Sequence, residues 1–570
     1  MIVVTDEELV QLFRDGRLAE AMADRFAFMT DVDAAAIRST FARLHNTKAW
    51  DLLAVVDQGE LQALDDSSFF SACHLLNEVV PELDVDPGRL MACTEALVAR
   101  GGHDLAANMP NAALRAWCAK DPARSEAILA MAEGGDPRAA RVLTFPLEAL
   151  GDPSKARAFL VREEARLRLS AATALARMPD PDPVSQARTL SALGDVAHVP
   201  DGLLKAALLT ALIHVLDEPN ATIDVEALRL IERLLDTDDE QVVHAATHAI
   251  WANNVARDER ILSRLLAVAQ TIKPANKGTL RELDLALRVL LEGDGKDAAL
   301  QFAEAFFSGD GDVELQDLQS FVGQLVNGDP EVLAQATCRW LLIGNPRLCE
   351  GLSTALHRGE DSAPRLDLTR NLQLLSGASQ LFVCRKAIAW FFIKPRTAAS
   401  VLVSCLRVCD DLTRREVQAL LIHPLLINYS GVRDYLAELP SHDPAKAAVD
   451  AAVAEGDTYI EGLRGVPGLR AFFPNEHQRR VQQLRRADQS REIAEQARKQ
   501  SVFFNLVKRS VILYGRRSLS YQRGADGEHQ RFEMELKPHG VEFEFPRMEI
   551  VDPIGLDYLL RLYRTEALAE

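Results

Sequence analysis

The chain has 570 residues, a formal net charge of −19, 48% hydrophobic residues and only 6% aromatics. So acidic a total disfavours general attraction to nucleic acid or to an anionic membrane surface, while the length allows an extended array as well as several ordinary domains. The longest apolar runs, near Ala387–Ile393 and Ala419–Ile427, are too short to span a bilayer, and no membrane span is expected.

In chain order, the first segment opens on a capping signal, Thr5 with Glu8, before Leu9, Leu12 and Leu18. Its start has neither the basic region nor the apolar run of a signal peptide. The eight cysteines mostly sit inside apolar helical runs, which reads as reduced, buried thiols and a cytoplasmic setting. Helical segments then follow one another across breaks such as Gly134–Pro137, Gly151–Pro153, Pro179–Pro183 and Ser308–Gly311. An Asp before Pro suits such starts, since Asp caps the free amides and Pro fits the first turn.

Five Ala-Ala pairs recur, at Ala112-Ala113, Ala139-Ala140, Ala171-Ala172, Ala206-Ala207 and Ala245-Ala246, in steps of 27, 32, 35 and 39 residues. Recurrence at about 20–50 residues predicts stacked helical pairs, with the small residues permitting close crossing. Leu167–Leu175 resembles the second helix of a HEAT repeat, which reads apolar-Arg-x-x-Ala-Ala-x-Ala-Leu. Asp239–Ile250 is similar, with Val in place of the Arg. The resemblance covers roughly residues 100–270 and implies an α-solenoid. The expected fold is therefore mostly α, a HEAT-like α-solenoid with a small C-terminal α+β module. The expected spans are 1–278 and 279–440 for the array, 441–507 for a basic helical connector and 508–570 for the module.

Within 279–440, Ala387–Ile393 is apolar all round and reads as a fully buried helix, and His423, ahead of Pro424, reads as a buried histidine. Ser441–Pro444 restarts a helix. Near the end the period changes to two: Arg531–Lys537 and Val541–Phe545 flank Pro538-His539-Gly540, which predicts a β-hairpin. Ser510–Tyr514 and Ser518–Arg523 read as further strands, with Gly524–Gly527 as a turn. A final helix near Pro553–Glu566 is expected to cover the sheet with Ile554, Leu556, Leu559, Leu560 and Tyr563.

The sharpest functional signal is a basic stretch: Arg479, Arg480, Arg485, Arg486, Arg491, Arg498, Lys499, Lys508, Arg509, Arg516, Arg517 and Arg523, opposed only by Asp488, Glu492 and Glu495. Its balance of +9 leaves −28 on the remainder, which predicts an interaction surface. Its target is an acidic protein, the acidic array itself or, with Phe503, Phe504, Tyr514 and Tyr521 interleaved, a nucleic acid. Acidic loops near Asp236–Glu240, Glu292–Asp297 and Ser308–Asp312 invite basic partners.

Three weaker constellations are present. Glu240, His244 and His248 share a helix face at metal-ligand spacing, but read better as surface residues. Cys405 and Cys409 read as core. Glu535-Leu536-Lys537 matches the Glu-x-Lys end of metal-dependent nuclease hairpins of the restriction-endonuclease type, with Asp526 as the nearest upstream carboxylate. No phosphate-binding loop, dinucleotide fingerprint or Gly-x-Ser-x-Gly is present. The expected function is thus a non-enzymatic adaptor binding other proteins. Its composition suggests a bacterial multi-protein system such as secretion or anti-phage defence. The alternative is a nucleic-acid-binding factor, with nuclease chemistry in the terminal module. No catalytic set, metal or cofactor is expected.

Overall fold

The computed structural model describes residues 5–23, 31–102, 108–218, 221–309, 311–358, 364–466, 474–500, 517–523, 529–535, 546–548 and 552–568. They are mostly helical, in two compact units, Met1–Val332 and Leu333–Glu570.

In the first unit the helices alternate between two rows. α1 (Pro153–Leu160), α3 (Pro183–Val196), α5 (Val225–Leu235), α7 (Glu259–Ala269) and α9 (Lys296–Ser308) alternate with α2 (Ala165–Leu175), α4 (Gly202–Asp217), α6 (Glu240–Ala252), α8 (Lys277–Glu292) and α10 (Gln319–Asn327). Each even-numbered helix packs against the next even-numbered one, and α2, α4, α6 and α8 also pack against an odd-numbered neighbour in sequence. This ladder of neighbours is consistent with an α-solenoid, in which each unit buries its apolar flank on the next.

The starts are local. Asp136, Asp152 and Asp182 each accept hydrogen bonds from amides two or three residues ahead, with Pro in the first turn. Thr5 accepts from the Glu8 amide at 3.2 Å. α10 is capped across the stack, because the Asp284 carboxylate of α8 accepts from the Ser320 and Phe321 amides at 3.0 and 2.8 Å.

Ala171 and Ala172 are fully buried where α2 crosses its neighbours. The other pairs do not all mark the seam. Ala206 and Ala207 are half-buried, and Leu208, Leu209, Ala211 and Leu212 make the contact in α4. The repeat shows more clearly in the polar contacts, which recur one unit apart. Within the first unit Arg43 binds Asp6, the Trp117 indole donates to Leu83 O, His214 Nε2 contacts Met178 O and His248 meets Glu282, at separations of 37, 34, 36 and 34 residues. The same offset holds inside the second unit. There Tyr429 Oη donates to Phe392 O, Lys394 Nζ to Leu356 O and Arg407 to Asp443, at 37, 38 and 36 residues. The repeat therefore runs beyond the 100–270 span of the resemblance.

A more local contact in the first unit involves a titratable group. His45 is buried, and its Nδ1 accepts from the Leu52 amide at 3.1 Å, which requires that nitrogen to be unprotonated. Burial lowers its pKa below the ordinary 6.5, against the opposing pull of Asp51. A histidine depressed in the folded state binds its proton better when unfolded. Its stabilising contribution is thus full above that value and is lost as pH falls below it. We expect the melting temperature to drop between about pH 7 and 5, and to drop less in His45→Gln. Equal slopes for the two proteins would show that His45 does not titrate in this transition.

The second unit holds α11 (Pro346–Arg358), α12 (Gly377–Trp390), α13 (Pro395–Leu406), α14 (Asp411–Leu420), α15 (Ser430–Ala437), α16 (Lys446–Gly465) and α17 (Glu476–Gln500). The apolar run at Ala387–Ile393 is not one buried helix. α12 ends at Trp390, Phe391 is buried, and Ile393 is half exposed ahead of Pro395. His423 is exposed, not buried, and meets the Tyr459 ring edge-on at 5.2 Å. The expected side-chain cap at the restart is not formed: α16 begins at Lys446 behind Ala445, and in the turn ahead of it the Ala445 amide donates to Asp443 at 2.9 Å. Hydrogen bonds from Arg407 hold its carboxyl below the usual range.

Two strands follow, β1 (Arg517–Arg523) and β2 (His529–Glu535), antiparallel, with Ser520 opposite Phe532. Residues 524–528, 536–545 and 501–516 lie outside the description. They hold the expected Pro538–Gly540 turn, the Val541–Phe545 and Ser510–Tyr514 strands and the Gly524–Gly527 turn. The last helix, α18 (Pro553–Thr565), packs on α12. The expectation that it covers the sheet is replaced: its amphipathic pattern required an apolar partner, and α12 supplies one. Lys386 of α12 is fully buried, and its Nζ donates to Arg564 O at 2.6 Å and Glu566 O at 2.8 Å, at the carboxyl end of α18. Arg385 pairs with both Glu566 oxygens at 2.8 and 2.6 Å. The Arg564 guanidinium lies 4.8 Å over the Trp390 ring and donates to Ala389 O.

Candidate interaction surfaces

The basic stretch falls on two elements. α17 carries Arg479, Arg480, Arg485 and Arg491, all exposed, and Arg486, half-buried. Arg491 stands 3.5 Å from Asp488 one turn back. Arg498 and Lys499 belong to the same helix, whose side chains there are not described. At about 100° per residue, Arg480 and Arg491 share one side, Arg479 and Arg486 a second, and Arg485 stands on a third. The helix is charged all round, and none of its described residues is buried.

Arg517 and Arg523 end β1 and stand opposite Glu535 and His529 in register. Lys508, Arg509 and Arg516 lie outside the described residues, as do Phe503, Phe504, Tyr514, Asp526 and Lys537. The Glu-x-Lys pair is therefore described only at Glu535, a register position facing an arginine.

Glu240, His244 and His248 turn to different partners. His248 Nδ1 lies 2.8 Å from Glu282 Oε2, which also accepts from the Trp251 indole at 2.6 Å. His244 contacts Thr279 Oγ1 at 3.3 Å, and Glu240 lies 3.6 Å from Lys273. Burial works against the Glu282 charge, but the bonds from Trp251 and His248 outweigh it and lower its pKa. This face ties α6 to α8. Among the described residues, no group of three or more His, Cys, Asp or Glu is placed to hold a metal.

All eight cysteines are buried and unpaired as disulfides. Burial pushes the thiols of Cys73 and Cys338 up to about 11 and those of Cys93, Cys118 and Cys349 to about 12. Cys409 rises to about 11 for the same reason, and Cys405 rises through its bond with Cys384 and its burial. Such thiols are packing groups at neutral pH rather than nucleophiles.

The acidic loop Glu292–Asp297 does line a concave site. Between α7 and α9 the odd-numbered row opens into a groove of about 1120 Å³. Its floor is apolar, with Leu262, Leu266, Leu290 and Phe302 nearly buried. The small residues Ser263 and Ala267 on α7 and Ala298 on α9 form its walls. Gln270 Nε2 joins the two helices by donating to Phe302 O at 3.1 Å.

Among the described residues that line the groove, the carboxylates are Asp217, Asp258, Glu259, Asp294 and Asp297, and Arg257 is the one cation. Asp217 accepts from the Val255 amide at 2.8 Å. Asp258 caps α7, and hydrogen bonding from Arg260 holds its carboxyl below the usual range. Glu259 and Asp294 are exposed. One wall is legible in the sequence as an acidic run; the floor is spread over α7, α8 and α9 and carries no local signal.

No family model and no curated protein matches the chain. Among solved structures, one matching chain comes from work described as "A conserved phosphorylation switch controls the interaction between cadherin and beta-catenin in vitro and in vivo". It is 13% identical, and the alignment covers 80% of this chain and 96% of that one with a TM-score of 0.20. At that score the two paths do not coincide as wholes, and the fold rests on the helix contacts themselves.

Proposed function

We propose that this chain is a non-enzymatic interaction scaffold that binds other proteins. The observation that supports it best is α17: 25 residues long, charged all round, with exposed arginines and no buried described side chain. A helix without an apolar face gains little from its own chain, so it suits a partner surface of opposite charge. The helical stack would hold that surface in place, and the terminal strands would form a small module beyond it. The expected spans of 1–278, 279–440, 441–507 and 508–570, and a bacterial multi-protein setting, belong to the same proposal.

The alternative reading gives the same arginines to a nucleic-acid backbone, with hydrolysis at Glu535. Reversing Arg479, Arg480, Arg485 and Arg486 to Glu separates the two. The scaffold reading expects the unaltered protein to bind single-stranded DNA and RNA no better than the reversed one, and expects a co-purifying protein to be lost on reversal. Binding to either polymer that falls steeply with salt and vanishes on reversal would transfer the function to nucleic acid.

A further inference from the structure

We propose that the groove between α7 and α9 receives a basic amphipathic helix of a partner protein. This deepens the scaffold reading and rests on it. The groove is open and exceeds the roughly 300–1,000 Å³ of small-molecule sites, which suits a polypeptide segment. Its walls suit a helix, because Ser263 and Ala267 lie one turn apart on α7 and face Ala298 across the opening. Small residues at such a crossing let a third backbone come close. The apolar floor asks for an apolar stripe on the incoming helix, the helix-in-groove mode of recognition.

Charge then selects the partner. The groove is acidic where the two helices begin, with Glu259 at the start of α7 and Asp294 in the turn before α9, and both are exposed. A phosphate backbone or an acidic peptide would be repelled there, whereas lysines or arginines beside an apolar stripe would meet a carboxylate on each wall.

The test uses the full chain and a labelled Leu/Lys peptide of ~18 residues with its leucines on one helical face. Its controls are the same peptide with Ser for Leu and the same peptide with Glu for Lys. Glu259→Lys with Asp294→Lys should weaken the Leu/Lys peptide at least ~10-fold and flatten its salt dependence. Ala267→Trp, which fills the groove from an exposed position, should abolish binding while helicity and melting stay unchanged. Reversal of Glu163 and Glu164, both exposed and outside the groove lining, carries the same charge change and should cost no more than ~2-fold.

Equal losses from the two reversals, or equal binding of the Ser-for-Leu peptide, would overturn the proposal in favour of general attraction to an acidic protein. Self-association of the chain that Ala267→Trp abolishes would give the groove to a second copy and overturn it likewise. Failure in these arms with the α17 partner still co-purifying removes only the groove assignment. Loss of that partner's dependence on α17 removes the scaffold reading itself.

Discussion

Ending the chain at Asp552 is expected to destabilise the second unit by about 3–5 kcal/mol, the usual cost of leaving a buried charge without its partner. The removed helix, α18, supplies both carbonyl oxygens that the fully buried Lys386 ammonium binds. It also supplies the carboxylate paired with Arg385 and the guanidinium over Trp390. Lost packing of Leu556, which is buried, adds to that figure. The electrostatic share can be isolated. In a Lys386→Met background the same truncation leaves no stranded charge, so its cost should fall by roughly 2 kcal/mol or more in denaturant titrations.

Burial already holds the Lys386 ammonium below its ordinary 10.5. A lysine depressed in the folded state binds its proton more weakly there than in the unfolded chain. In the intact chain, stability from this group therefore rises with pH between the two values. Equal truncation costs with and without Lys386 would show that α18 is held by apolar contact alone.

What could be read in advance depended on how local the physics is. A helix start is settled within three residues, and Asp136, Asp152, Asp182 and Asp552 all cap as Asp-Pro spacing implies. The repeat was visible only where alanines cluster. Its fuller expression is a polar joint between unlike residues, such as the Trp117 indole on Leu83 O or Tyr429 Oη on Phe392 O. A backbone carbonyl can be supplied by any residue, so these joints leave little trace in the sequence.

Lys386 stands inside an apolar run, and its acceptors come from 178 and 180 residues away. Nothing near it announces a buried cation. The amphipathic pattern of α18 requires a partner without saying which, so a sheet and α12 were equally compatible with it. The groove was half legible for the same reason, since charge runs are contiguous and apolar floors are not.

Trp117→Ala should cost about 3–5 kcal/mol, and the loss should stay local. Trp117 is 1% exposed, and its indole donates to Leu83 O at 3.0 Å. The Arg124 guanidinium lies 4.7 Å over its ring and donates to Pro81 O and Leu83 O at 2.9 and 3.1 Å. Ring, guanidinium and two carbonyls thus form one joint between successive repeats. Alanine removes the ring and leaves the guanidinium without its platform. Trp117→Phe keeps most of the apolar contact and loses one donor to a carbonyl that Arg124 still satisfies, so about 1 kcal/mol is expected.

The wider consequence follows from the architecture. Where each repeat touches only its neighbours, the strength of the stack is a sum of adjacent joints, and breaking one should not loosen distant ones. Hydrogen exchange in Trp117→Ala should therefore rise across residues 80–130 and stay near wild type across 240–330. Uniform loss of protection through the first unit would mean that it unfolds as a single body, and the nearest-neighbour picture of this array would have to be given up.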